Sequence, residues 1–305
     1  MPFTPLPDRA TLHLTGAETE EFLQGLVTAD VGAVSADAAS PAALLTPQGK
    51  VMFEFLLSRL PDGFRLDTPA GLRADLKKRL TLYRLRLKIA IEASEEAVFA
   101  VWGEDGGAAG VLGLTDRRFP GEPVLRAYGD APAGVGEAPA EEFRTLRIAS
   151  GVAELGSDYP PSEVFPHDVL MDYSGGLSFR KGCFVGQEVV SRMQHRGTAR
   201  RRLMLVSAAA PLGEAGENGI NSENTTSIEI RAGDKVVGEI LSTRDDRGLA
   251  IVRIDRLANA AASGEAITAG GVPVALSIPA YAGYTLPERR DGEADTAGDL
   301  AGNSA

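Results

Sequence analysis

After Arg202 the chain becomes a series of short β-type segments separated by turns, and this change of pattern limits the folds open to it. Five such apolar segments follow one another, at 203–206, 227–230, 236–241, 249–254 and 272–278. Short strands at this spacing predict a small β-barrel or sandwich. Up to about residue 195, strand-like and helix-like segments alternate, which predicts an α/β region. A chain of 305 residues has room for two or three such domains.

Local signals place individual elements within the α/β region. Residues 15–18, Thr-Gly-Ala-Glu, have the spacing of a capping box and predict the start of a helix. Residues 47–50, Pro-Gln-Gly-Lys, lie between two apolar segments and predict a hairpin turn. One set of apolar residues recurs at helical spacing: Leu72, Leu76, Leu80, Tyr83 and Leu87.

Other segments are predicted from composition and weaker patterns. Strands are expected over 97–102 and 124–128, and helices over 106–114 and 141–150. The Ala/Pro/Gly stretch 131–140 predicts a linker, and 211–226 predicts a polar loop. The charged, Gly-rich end of the chain, 286–305, predicts a disordered tail.

Composition and charge exclude several classes of protein. No apolar run approaches the roughly 18 residues of a transmembrane helix, and the first residues lack the pattern of a signal peptide, so we expect a cytoplasmic protein without a membrane partner. One cysteine and three histidines leave no intramolecular disulfide and no usual structural zinc motif. A net charge of −11 argues against a general nucleic-acid binder.

The positive charges are concentrated beside the single cysteine, Cys183. Between Arg180 and Arg202 there are seven cations and one anion, Glu188. Gly182 and Gly186 flank the cysteine and permit close approach of the backbone or a positive φ angle. A helix is predicted from Gln187, so its N-terminal amides would face this loop. The alternative is a small buried cysteine with a packing role, since that is the usual place of a lone cysteine.

The residues around Cys183 match a known pattern. Residues 181–192 spell K-G-C-F-V-G-Q-E-V-V-S-R, and Gly197 follows before a basic run. This string resembles the K-G-C-[YF]-x-G-Q-E-x-x-x-R signature of the YgfZ family. Members of that family are folate-binding accessory proteins of iron–sulfur cluster maintenance, related to the aminomethyltransferase of glycine cleavage. Phe184 stands where tyrosine is commoner.

The resemblance implies an α+β fold like that of the aminomethyltransferase and YgfZ. Two interlocked α/β, ferredoxin-like subdomains, 1–130 and 131–195, would form a ring around a central channel with a C-terminal β-barrel, 196–286. Residues 287–305 would form the tail. Segments at 14–28, 45–51 and 237–251 are similar to that superfamily at lower specificity.

Two departures from the aminomethyltransferase pattern bear on catalysis. The catalytic Asp-Asp pair of that enzyme is replaced here by Phe53-Glu54, and Ala149 replaces the glutamate that recognises the pterin. An apolar residue cannot replace a carboxylate in proton transfer or in pairing with an N–H edge. Aminomethyl transfer is therefore expected to be lost, and the resemblance implies an accessory protein rather than an enzyme.

The resemblance also implies roles for individual residues. Cys183 would be the reactive group and a transient cluster ligand, with no permanently bound metal, because a single thiolate cannot hold a cluster alone. Lys181 would tune the thiol, Gln187 and Glu188 would fix the loop, and Arg192 would pair with Glu188 or an anion. Tetrahydrofolate would contact a further set of residues: Glu54, Arg147 and Arg202. The partners would be iron–sulfur assembly or client proteins, among them enzymes of tRNA modification.

Two other functions stay open at this point. A tetrahydrofolate-dependent aminomethyl transferase or demethylase would need a carboxylate in the channel, and Glu54 is the candidate that the motif offers. An RNA-interaction module would use the arginines between Arg192 and Arg202, but the segment lacks the interleaved aromatic residues on which bases stack.

Overall fold

The computed structural model describes residues 1–103, 113–212 and 228–287. Most of the helix predicted over 106–114, most of the polar loop 211–226 and the tail from residue 288 onward lie outside the described residues; Leu114, the last residue of that predicted helix, begins a strand instead. Within the described part, no helix is long and apolar enough to cross a membrane.

The helices and strands alternate up to residue 149, and strands then dominate beyond residue 200. The strands are β1 (Pro2–Pro5), β2 (Arg9–Thr15), β3 (Ala38–Leu45), β4 (Val51–Leu60), β5 (Gly63–Pro69), β6 (Ala90–Ser94), β7 (Val98–Trp102), β8 (Leu114–Asp116), β9 (Val124–Tyr128), β10 (Gly136–Glu137), β11 (Arg201–Ala208), β12 (Ile228–Ala232), β13 (Lys235–Arg244), β14 (Arg247–Arg253), β15 (Ile267–Ala269) and β16 (Val272–Ser277). The helices are α1 (Thr19–Gln24), α2 (Arg73–Arg84), α3 (Ala140–Ala149), α4 (Gln187–Arg196) and α5 (Ile254–Ser263). Short 3₁₀ turns lie at Val31–Ala33 and Ala70–Leu72.

Among the described residues, the first ten strands form one mixed sheet in the order β10-β1-β7-β9-β8-β3-β4-β5-β2-β6. Neighbouring strands run antiparallel except at the β1–β10 and β3–β8 pairs. The β3–β4 hairpin lies at the centre of this order, and its register pairs Ala43 with Glu54. The hairpin predicted around residues 47–50 is confirmed.

The last six strands close into a barrel in the order β11-β14-β13-β12-β15-β16. Alternate residues such as Met204, Val206 and Val252 point into its apolar core, as the period of a strand requires. Leu257 and Ala260 of α5 are also buried in that core. The predicted β domain is thus a barrel; α5 and β15 were not predicted.

Two local expectations need correction. Residues 15–18 do not form a capping box, because α1 begins at Thr19 and Glu18 makes no capping bond. Its carboxylate instead accepts a hydrogen bond from the backbone N–H of Lys88 at 2.9 Å. Leu87 lies beyond the end of α2 and is exposed, whereas Leu76 and Leu80 are buried as the helical spacing predicts.

The segment 150–186 joins the sheet to the barrel without forming long elements of its own. Leu155 and Leu170 from this segment share one core with Leu203 and Ile251 of the barrel. The Tyr281 hydroxyl donates to the carbonyl oxygen of Gly151 at 2.8 Å and further ties the two parts together. The loop that carries Cys183 ends this joining segment, so its position depends on both the sheet and the barrel.

Candidate functional site

Cys183 is a free, exposed cysteine in an irregular loop that leads directly into α4. The next side chain, Phe184, is buried and anchors the loop in the main core. The alternative of a buried cysteine with a packing role is therefore wrong. The thiol lies at the surface beside a fixed aromatic anchor.

Gly186 fits the loop against the β3–β4 hairpin. It has a φ of 78°, and a Cβ at this position would lie 2.5 Å from the carbonyl oxygen of Thr46 and 3.0 Å from the Cβ of Leu45. A side chain would be strained by the backbone angle and obstructed by the hairpin. Gly182 differs, because a Cβ there would have no atom within 4 Å and its φ is not positive. Close approach of the backbone therefore requires Gly186 and not Gly182.

Lys181 fixes the other end of the loop. Its Nζ donates to the carbonyl oxygens of Val27 at 2.6 Å and Ala29 at 2.9 Å, and it lies 5.3 Å from the ring centroid of Phe184. Burial lowers the pKa of Lys181 to about 8, against the opposing effect of Asp30. The ammonium group is committed to these two carbonyls, so the geometry gives Lys181 an anchoring role.

The remaining motif residues hold the start of α4. The side-chain Oε1 of Gln187 accepts from the backbone N–H of Phe184 at 3.3 Å, which closes the loop onto the helix. Arg192 donates to Glu188 at 2.8 Å, and both side chains are exposed. Glu188 therefore pairs with Arg192 one turn along the helix and makes no bond to the loop. An exposed pair of this kind contributes little to stability.

A small cavity lies where the sheet, the joining segment and the C-terminal residues meet. Its volume is about 20 Å³, which is room for about one water molecule. Its lining includes Pro41, Glu54, Arg118, Gly151, Val152, Ala153, Tyr159, Val169, Met171, Ser174 and Tyr281. Glu54 thus faces the cavity, while its neighbour Phe53 packs in the core.

The carboxylate of Glu54 accepts hydrogen bonds from residues beside this cavity. Its Oε2 accepts from the Tyr159 hydroxyl and from the backbone N–H of Leu155 at 3.0 Å. Burial raises the pKa of Glu54, and the positive charge of Arg118 opposes this effect. Glu54 is therefore a candidate acid in the cavity, as the transferase alternative requires.

A network of buried charges that was not predicted from the sequence surrounds the cavity. Arg118 donates to both carboxylate oxygens of Asp116, at 3.0 and 2.8 Å, and to Glu154 at 2.7 Å. Arg126 also donates to Asp116, at 3.1 Å. Burial alone would raise the pKa of Glu154, but the guanidinium groups of Arg118 and Arg147 hold it well below its usual range. Arg118 and Glu154 lie 36 residues apart in the chain, so no local pattern predicts this pair.

Two residues predicted to contact folate belong to such buried ion pairs. Arg147 donates to both oxygens of Asp158 and, at 2.7 Å, to the carbonyl oxygen of Val152. Arg202 donates to both oxygens of Asp172 at 2.9 Å, and the two side chains are 8% and 6% exposed. Both guanidinium groups are thus engaged by buried carboxylates, and the contact with folate expected for Arg147 and Arg202 stays a prediction.

Comparison with solved structures decides the architecture. The aminomethyltransferase T of the glycine cleavage system from Bartonella henselae superposes with a TM-score of 0.70, covering 92% of this chain and 86% of that chain at 14% sequence identity. The fold is that of an aminomethyltransferase. The fold class predicted from the motifs, α/β subdomains followed by a C-terminal β-barrel, is confirmed, whereas its domain boundaries stay a prediction.

Comparison with curated proteins points to one group of relatives. Residues 200–284 match the model of the CAF17 C-terminal β-barrel domain. The iron–sulfur cluster assembly factor IBA57 of Homo sapiens is 29% identical over 281 residues, covering 83% of this chain and 77% of the relative. The IBA57 homolog of Coccidioides immitis is 29% identical over 313 residues, covering 85% and 73%. These homologues are named iron–sulfur cluster assembly factors, and they carry the name IBA57 rather than YgfZ.

The same relatives overturn one expectation. Each of the two is named as a mitochondrial protein. The cytoplasmic location expected from the sequence is therefore contradicted by this comparison.

Proposed function

We propose that this protein is an accessory factor in the assembly or repair of iron–sulfur clusters and that Cys183 is its reactive residue. The observation that carries the proposal is an exposed thiol on a loop held at both ends, by Lys181 on one side and by Gly186 against the hairpin on the other. The proposed process, iron–sulfur cluster assembly, is taken from the names of the relatives.

The cluster in this proposal is a cargo shared with a second molecule. Iron–sulfur clusters usually take four protein ligands, and Cys183 offers one. In the described part of the chain, no group of three or more His, Cys, Asp or Glu residues is placed to hold a metal ion. The other ligands therefore come from a partner protein or a small thiol that docks at the Cys183 face.

The exposed side of α4 favours a partner with negative charge. Arg192 and Arg196 are exposed on this helix beside the cysteine loop. Cations around a docking site raise the rate of association with an acidic surface. Client proteins that receive the cluster, including enzymes of tRNA modification, belong to the same proposal.

The folate link is a separate part of the proposal, and the residues present fit a folate poorly. Ala149 stands at the pterin-recognition position, and Arg147 and Arg202 are engaged in ion pairs. We therefore derive no step through folate. Titration of the protein with tetrahydrofolate, with quenching of Trp102 fluorescence as the readout, tests folate binding independently of Cys183.

One observation favours the transferase alternative, namely the position of Glu54 on the cavity wall. If Glu54 is a catalytic acid, the protein turns over an aminomethyl donor with tetrahydrofolate, and Glu54→Gln abolishes that turnover. Absence of turnover in the unmodified protein refutes the alternative.

Complementation tests the role of Cys183. Cells that lack their own protein of this type would express the unmodified chain, Cys183→Ser, or Cys183→Ser combined with Gly182→Cys. The last variant moves the thiol by one residue to a position where a side chain meets no atom within 4 Å. The readouts are the activities of an iron–sulfur dehydratase and of a radical-SAM enzyme that modifies tRNA.

We expect rescue by the unmodified chain and by neither variant, because the proposal needs the thiol at position 183. Rescue by Cys183→Ser refutes the reactive role of the cysteine. Rescue by the relocated thiol alone shows that a thiol is needed but that the anchored position is not. Failure of the unmodified chain refutes the proposed process.

A further inference from the structure

The end of α2 and the turn after it carry three exposed leucines, which we call the leucine tip (residues 82–88). Leu82 is 62% exposed, Leu85 is 84% exposed and Leu87 is 36% exposed. Leu82 lies in the last turn of α2, and Leu85 is the residue that follows the helix. The N–H of Leu87 donates to the carbonyl oxygen of Arg84 at 2.9 Å, which keeps Leu87 in the same turn. Three large, exposed apolar side chains therefore lie within six residues of the chain, at the end of one helix.

The backbone at the tip is strained in order to present one of these leucines. Leu85 is the residue after α2 and has φ 50° and ψ −109°. A positive φ combined with this ψ lies outside the left-handed helical region and is adopted without strain by glycine alone. A leucine at this position lowers the stability of the fold, and burial does not compensate because the side chain is exposed. Strain of this kind at an exposed side chain points to a function outside the fold itself.

Positive charge surrounds the tip. Six cations lie between residues 77 and 88: Lys77, Lys78, Arg79, Arg84, Arg86 and Lys88. The same range holds no acidic residue, although the whole chain has a net charge of −11. The carboxylate of Glu18 touches the segment, where it accepts from the backbone N–H of Lys88. At physiological salt, charges more than about 8 Å apart are largely screened. A molecule that approaches the tip is therefore affected by the local excess of positive charge more than by the net negative charge of the chain.

We propose that the leucine tip attaches the protein peripherally to the surface of an anionic lipid bilayer. Leucines that protrude among lysines and arginines match the requirements of the interface, where apolar side chains enter the acyl boundary and cations contact the headgroups. Long basic side chains adapt to this geometry because their stems are apolar. A protein partner is less favoured, since leucine is under-represented among the residues that dominate protein interfaces.

This attachment needs no spanning helix. The expectation that the protein has no membrane partner rested on the absence of an apolar run long enough to cross, and a surface contact does not depend on one. The inference is also independent of Cys183 and of the proposed cluster function.

Flotation with lipid vesicles tests the leucines. The full chain is mixed with vesicles of phosphatidylcholine alone or with added phosphatidylglycerol, at low and high salt. We expect binding to the anionic vesicles that weakens with salt. Leu82→Ser/Leu85→Gly/Leu87→Ser should reduce binding at least about tenfold. Glycine adopts the φ of 50° and ψ of −109° at position 85 without strain, and a melting curve checks that this variant is folded.

A pair of charge variants tests the cations. Lys78→Glu/Arg86→Glu should also reduce binding to anionic vesicles by at least about tenfold. Lys235→Glu/Arg247→Glu changes the net charge equally at two exposed barrel residues, and it should bind as the unmodified protein does.

Four results would overturn the inference. They are no binding to either vesicle, full binding by the leucine variant, equal loss in the barrel control, and binding to a soluble acidic polypeptide that vesicles do not displace. The last result would assign the tip to a protein partner.

Discussion

Substituting the two glycines beside Cys183 by alanine should have opposite consequences, although both belong to the same motif. At Gly186 the φ of 78° is unfavourable for any residue with a Cβ, which costs about 1–2 kcal/mol. The new Cβ would also lie 2.5 Å from the Thr46 oxygen. That oxygen cannot easily move, because it accepts from the N–H of Gly49 at 2.9 Å within the hairpin turn. Overpacking against a fixed backbone adds about 1–3 kcal/mol.

We therefore expect Gly186→Ala to destabilise the protein by about 2–5 kcal/mol. Gly182→Ala is the matched control, because its Cβ meets no atom within 4 Å. A surface change of this kind stays within about 0.5 kcal/mol, or stabilises slightly through the unfolded chain. The free energy of unfolding is measured for both variants by urea denaturation followed by circular dichroism.

Hydrogen exchange shows where the loss occurs. In Gly186→Ala the amides of residues 181–190 and of the hairpin turn should exchange faster than in the unmodified protein, while barrel amides change less. Equal stability of Gly186→Ala and Gly182→Ala would refute the conclusion that the hairpin fixes the cysteine loop. If that conclusion holds, Gly186→Ala also fails in complementation, although it retains Cys183.

Three further predictions concern buried charges. Burial raises the pKa of Asp168 to about 6. The contribution of its protonated carboxyl group to stability is therefore complete below about pH 4 and is lost as the pH rises through about 6. Asp168→Asn should raise the free energy of unfolding at pH 8 by roughly 2–3 kcal/mol and leave it unchanged at pH 4, as measured by urea denaturation at both pH values. Lys181→Met removes two bonds to carbonyl oxygens and should speed hydrogen exchange in residues 182–186; unchanged exchange would contradict its anchoring role. Arg202→Met leaves Asp172 buried and unpaired and should cost about 3–5 kcal/mol in the same assay, whereas Arg202→Met/Asp172→Asn should recover part of that loss.

The elements that the sequence predicted are those whose signal is local. The hairpin of β3 and β4 follows from a turn-forming segment between two apolar runs, and α2 follows from leucines at helical spacing. The barrel follows from short strands between turns, although α5 within it was missed. The capping box failed because Glu18 has a tertiary partner, the backbone of Lys88, that its local sequence does not contain.

The candidate site shows the same division between local and tertiary information. Cys183 and its motif were found because all their residues lie within one short segment. The charges around the cavity were not found, since Arg118 meets Glu154 36 residues away and Arg147 meets Asp158 across a turn. Without the fold, the sequence could not show that Arg147 and Arg202 are ion-paired, and their expected contact with folate stays a prediction.

The two motif glycines show why a motif match does not by itself assign roles. Both are part of the same short pattern, and the sequence offers the same reason for each, namely close approach of the backbone. Of these two glycines, only Gly186 is needed for close approach of the backbone, because the hairpin lies against it. Gly182 faces open space. A requirement for glycine at 182 would then come from whatever docks on the Cys183 face. Loss of complementation in Gly182→Ala with unchanged stability would locate that partner within contact distance of residue 182.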